Sequence, residues 1–80
     1  MTPRKYSYTV VFDRNETGGY TVTAPALPGL VTEGRTMEEA KAMAQEAIAC
    51  YLEGLEKDGE PIPIEREVHH DTVTVALGAA

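Results

Sequence analysis

One uninterrupted helical signal runs from Thr36 to Gly59, and the rest of this short chain must fold around it. Thr36 is a good N-cap, and Glu39 three residues on completes a capping box. Glu38 and Glu39 put negative charge at the positive end of the helix dipole. From Met37 the apolar residues recur as Ala40, Ala44, Ala47, Ile48, Tyr51, Leu52 and Leu55, a single stripe at the helical period. Lys57 occupies the last turn, Gly59 suits the C′ position, and Pro61 stops the helix beyond it. Roughly 21 residues at about 1.5 Å each give a helix of roughly 30 Å, long enough to cross a small sheet.

The sheet is read from alternation. In Tyr6-Ser7-Tyr8-Thr9-Val10-Val11-Phe12 the residues Tyr6, Tyr8, Val10 and Phe12 share one face, so a first strand is expected there. The polar run ending in Gly18-Gly19 reads as a hairpin loop. Tyr20-Thr21-Val22-Thr23-Ala24 is a second strand with Tyr20, Val22 and Ala24 inward. Pro25-Ala26-Leu27-Pro28-Gly29 turns the chain, since neither proline can donate to a ladder. Leu30-Val31-Thr32-Glu33 supplies a short third strand, and Gly34-Arg35 leads into the helix. After the helix, Gly59-Glu60-Pro61-Ile62-Pro63-Ile64 is an extended connector. Thr72-Val73-Thr74-Val75-Ala76-Leu77 is expected to be the last strand, with a bulge near His70-Asp71 because Val68 falls on the opposite parity. Gly78-Ala79-Ala80 reads as a frayed tail. The expected fold is α+β: a small antiparallel sheet with one long helix on one face, in the order βββαβ. It forms a single domain over residues 1–80, with its core at about 6–77.

Charge and cysteine content narrow the function. Seven Lys and Arg against thirteen Asp and Glu give a net charge of −6. That balance argues against direct nucleic-acid binding, which draws on cationic contacts to phosphate, and suits a basic partner. The single cysteine, Cys50, allows no disulfide within the chain and fits a reducing compartment. No signal-peptide pattern or membrane-spanning run is read, so a cytoplasmic protein is expected.

Catalytic chemistry finds little support. A two-metal nuclease needs converging carboxylates. The candidates Asp13, Glu16, Glu33 and Asp71 lie beside loops or at a strand end instead. His69 and His70 are adjacent, so on a strand they would point to opposite faces, and Cys50 has no thiol partner for zinc. Neither a catalytic triad nor a glycine-rich phosphate loop is read. The chain is therefore expected to be a binding protein without cofactor or metal, not an enzyme.

A resemblance makes this more specific. Glu16-Thr17-Gly18-Gly19-Tyr20 is followed by Pro25-Ala26-Leu27-Pro28-Gly29 and then by Thr32-Glu33-Gly34-Arg35-Thr36-Met37-Glu38-Glu39-Ala40. Glu46-Ala47-Ile48, Tyr51-Leu52 and Gly59-Glu60-Pro61-Ile62-Pro63 continue the series. Together, over residues 6–63, they resemble the N-terminal domain of HicB-like antitoxins in its short stand-alone form. The resemblance implies a partial RNase H-like βββαβ fold without a working nuclease site. It implies a HicA-type toxin as partner, a small mRNA-cleaving protein neutralised by masking of its active site, and assembly into dimers or tetramers. Full-length members usually add a C-terminal DNA-binding segment. None is expected here, since Ala80 closely follows the last expected strand. The residues expected to meet the partner are Asp13, Glu16 and Tyr20 of the hairpin and Glu33 before the helix. The alternative is an oligomeric binding module with no toxin partner.

Overall fold

The computed structural model describes residues 4–67, 69 and 71–78. Strands β1 (Val11–Arg14), β2 (Tyr20–Thr23) and β3 (Val31–Gly34) precede helix α1 (Met37–Lys57). The strands form one antiparallel sheet in the order β1-β2-β3. The register puts Phe12, Val22 and Thr32 in one cross-strand row, and Val22 is fully buried under the helix.

The helix ends are set by local chemistry. Thr36 has extended backbone, and its hydroxyl accepts from the Glu39 N–H at 3.0 Å. The return bond differs from the usual box: the Glu39 carboxylate takes the N–H of Arg35, at 3.4 Å, rather than that of Thr36. At the other end Glu60 N–H bonds the Leu55 carbonyl and Gly59 N–H bonds the Glu56 carbonyl. That pair of bonds is a Schellman closure, and it needs the positive φ of 69° at Gly59.

The stripe works as expected. Ala40 and Ala44 are buried, and Ala47, Ile48, Tyr51, Leu52 and Leu55 are half-buried. Cys50, which falls off the stripe, is exposed. The helix comes closest to the sheet where its residues are smallest. A Cβ placed on buried Gly34 would stand 2.6 Å from the Cα of Ala40, nearer than any real Cβ contact. Gly34 therefore sets how closely α1 can lie against β3. Farther along, a second cluster forms from Ala24, Leu27 and Leu30, packed by Ile48, Tyr51 and Leu52.

Leu27 is a core residue that the sequence placed in a turn. It is 0% exposed. Two tight turns hold it, Leu27 N–H to the Ala24 carbonyl at 3.0 Å and Leu30 N–H to the Leu27 carbonyl at 3.2 Å. The Tyr51 hydroxyl donates to the Pro28 carbonyl at 3.0 Å and fastens this loop to the helix.

Two expectations about strands need correction. The first ladder lies over Val11–Arg14, not residues 6–12. Tyr8, Val10 and Phe12 still pack toward the core, so the predicted face is right. Residues ahead of the ladder bond instead to the connector after the helix: the Tyr8 hydroxyl donates to the Pro63 carbonyl, and the Glu65 carboxylate accepts from the Thr9 N–H and hydroxyl, both at 2.7 Å. The last strand of the expected βββαβ order is not formed. Residues 72–77 lie in no ladder, and Val73, Val75 and Leu77 are 83, 73 and 96% exposed. Alternation equips a segment for a ladder, but a strand exists only beside a partner strand. Glu65 already occupies the Thr9 N–H next to β1. The described architecture is thus βββα. Val68 and His70, on which the bulge and the histidine pair were placed, lie outside the described residues, as do Ala79 and Ala80.

Gly34→Ala is expected to destabilise the fold by about 1–3 kcal/mol, the cost of forcing extra volume into a packed contact. Urea denaturation should show a lower midpoint at unchanged slope.

Candidate partner-binding face

Pairing decides which side chains share a face. Directly opposed residues on neighbouring strands project to the same side. The row Asp13–Thr21–Glu33 therefore lies on the face away from α1, beside the row Val11–Thr23–Val31. Asp13 and Glu33 are exposed on the two edge strands, with half-buried Thr21 between them. Two strand spacings put their Cα atoms about 10 Å apart. Val31 is 63% exposed and, with half-buried Val11, adds an apolar element to this acidic and hydroxyl-bearing surface.

The hairpin tip extends from the same strands. Asn15 N–H bonds the Gly19 carbonyl at 2.9 Å and Gly18 N–H bonds the Asn15 carbonyl at 3.1 Å, closing the turn. Thr17 donates its hydroxyl to the Asn15 side-chain oxygen at 2.9 Å. Glu16 stands exposed in this turn. Between the tip and the start of α1 lies an open cleft of about 520 Å³, bounded by Thr17, Gly19, Glu33, Arg35 and Glu39. Glu33 thus borders both the acidic row and the cleft.

Tyr20 goes elsewhere. It pairs with Arg14 and Gly34 in the alternate row and packs against the cluster of Val22, Ala40 and Ala44. Of the four residues singled out, Asp13 and Glu33 share one face, Glu16 lies at the hairpin tip, and Tyr20 lies on the helix side. Parity along each strand hinted at this division, but only the register shows that Asp13 and Glu33 are joined through Thr21.

Among the described residues, no three His, Cys, Asp or Glu side chains converge in a way that could hold a metal ion. Asp13, Glu16, Glu33 and Asp71 form no such cluster. His69 lies 3.4 Å from Glu67, with both side chains exposed. No helix of the described residues is long and apolar enough to cross a membrane.

A second polar constellation ties the N-terminal segment to the end of α1 and the connector after it. Besides the Tyr8–Pro63 and Thr9–Glu65 bonds, Arg4 and Glu56 form an exposed ion pair at 3.1 Å. Burial pushes the Tyr8 phenol above its ordinary value, and nearby Tyr6 and Glu65 push it in the same direction.

The architecture defines a class: a small α+β domain that leaves one broad sheet face open, with acidic side chains on it. Comparison with known proteins gives the family. Residues 8–75 match the family described as the HicB_like antitoxin of bacterial toxin-antitoxin system, and the chain belongs to it. A UPF0150 protein of Thermoplasma acidophilum is 48% identical over 56 residues, covering 70% of this chain and 81% of that protein. A UPF0150 protein of Synechocystis is 39% identical over 66 residues, 81% of this chain and 84% of its own. Antitoxin HicB 1 of Photorhabdus laumondii is 40% identical over 73 residues, which are 91% of this chain but 47% of that longer protein.

Replacing Tyr8 with Phe should cost about 1 kcal/mol, through loss of the bond to the Pro63 carbonyl. The raised phenol pKa also gives a signature. The folded state holds that proton more tightly, so its contribution is complete below about pH 10 and is lost as pH rises through the folded pKa. Urea denaturation between pH 8 and 11 should show a steeper alkaline fall for the parent chain than for Tyr8→Phe.

Proposed function

We propose that this chain is an antitoxin that binds and neutralises a small, basic, mRNA-cleaving toxin of the HicA type by covering its active site. The observation that carries this reading is the row Asp13–Thr21–Glu33, which sets a carboxylate on each edge strand, with a threonine between them, on the face without the helix. A chain of net charge −6 favours encounter with a cationic ribonuclease and disfavours RNA itself. Membership in the antitoxin family supports a toxin as the kind of partner.

In this reading Asp13 and Glu33 meet the toxin directly, and Glu16 extends the contact from the hairpin tip. Tyr20 acts from behind, anchoring the second strand of that hairpin to the helix. The domain works as a homo-oligomer in the cytoplasm, without cofactor and without catalysis of its own.

A second reading is an oligomeric binding module with no toxin partner. It draws on the two UPF0150 relatives above, which align over about four-fifths of their own length and so are no larger than this domain.

The test is a titration of the chain with a HicA-type toxin by calorimetry, paired with an RNA cleavage assay. A stable complex that suppresses cleavage is expected. Asp13→Lys/Glu33→Lys should weaken it at least about tenfold, with the larger effect at low salt. Absence of any complex at low ionic strength would leave the second reading.

A further inference from the structure

Two features of the fold are incomplete in complementary ways. The first is residues 72–77. Val73, Val75 and Leu77 alternate with Thr72, Thr74 and Ala76, and all three apolar side chains stand in solvent. No other part of the described chain leaves a two-residue apolar repeat so uncovered.

The second is the flank of β1. Helix α1 packs over β3 and β2, and β1 is an edge strand. Beside it runs a groove of about 270 Å³, floored by Tyr8, Val10 and Phe12 and walled by Ala44 and Ile48 of the helix. A strand added next to β1 would turn one face toward this groove. An alternating apolar segment is what that position requires.

We propose that residues 72–77 of one chain pair with the β1 edge of a second copy and drop Val73, Val75 and Leu77 into its groove. The exchange is reciprocal, so the two copies close around a twofold axis. This gives the homo-oligomer reading above a specific interface, and it rests on that reading.

Two observations favour a second copy over the chain's own groove. The molecule measures 63 Å along its long axis, about twice the roughly 30 Å of the helix, and residues 72–77 stay exposed in no ladder of their own chain. Residues 72–77 also carry no charge. Two acidic chains repel each other, and an uncharged strand is the part of one that can enter the other without opposing carboxylates. At about 3.3 Å per residue, six residues span about 20 Å, a usable strand.

The experiment uses the full chain. Sedimentation equilibrium at about tens of micromolar should show a dimer or a multiple of it, and Val73→Asp/Val75→Asp should raise the dissociation constant at least about tenfold while leaving the helical circular dichroism intact. Isotope-filtered NMR on a mixture of labelled and unlabelled chains should show contacts between the Val75 methyls of one copy and the Phe12 ring of the other. A monomeric parent chain would overturn the exchange and the homo-oligomer reading together. A dimer indifferent to Val73→Asp/Val75→Asp, or Val75–Phe12 contacts found only within one chain, would overturn the exchange and leave oligomerisation through another face.

Discussion

The contact between the start of α1 and the end of β3 sets the geometry of the rest. Gly34 has no side chain to hold the helix off, and Ala40 and Ala44 present only methyl groups. Backbone lies against backbone there, so the helix is committed to β3 and β2. Farther along there is room for Ile48, Tyr51 and Leu52, and the loop between β2 and β3 fills it with Leu27. A domain of this size buries only about 60% of its surface. Its core is small enough that a single loop leucine is a substantial part of it.

That placement divides the sheet by role. One face is given to the helix. The other carries threonines, two valines and the paired carboxylates Asp13 and Glu33, and it is open to a partner. The β1 flank, where the helix forms only one wall of a groove floored by Tyr8, Val10 and Phe12, is an open edge. The two surfaces differ in chemistry and point in different directions. On the readings proposed above, the open face is the one for the toxin and the β1 flank the one for a second copy.

What was legible in the sequence follows from the range of the interactions involved. The helix was readable at both ends because Thr36, Glu39 and Gly59 act within one turn of it. Strand faces were readable because parity is local, and Val22 and Phe12 fell where alternation put them. Leu27 was hidden because no period marks a core residue held by tight turns. The displacement of the first ladder from residues 6–12 to Val11–Arg14 was hidden as well, since strand limits depend on which neighbour is present. Residues 72–77 show the same lesson from the other side: their alternation was plain, but no local rule names the strand they pair with. The charges of Asp13 and Glu33 are plain in the sequence, but only the register makes them one surface.

The bonds joining the N-terminal segment to the connector after the helix have a kinetic meaning. The strand pairs form between close neighbours in sequence, and the helix caps itself. By contrast, Tyr8 to Pro63 and Thr9 to Glu65 close separations of 55 and 56 residues. Loop closure over that distance comes late in folding and brings few partners with it. The N-terminal segment and the post-helix connector should therefore detach together as one unit, well below the free energy that unfolds the sheet and helix. Amide protons near Thr9 would then exchange with solvent while those of Val22 and Ala44 stay protected.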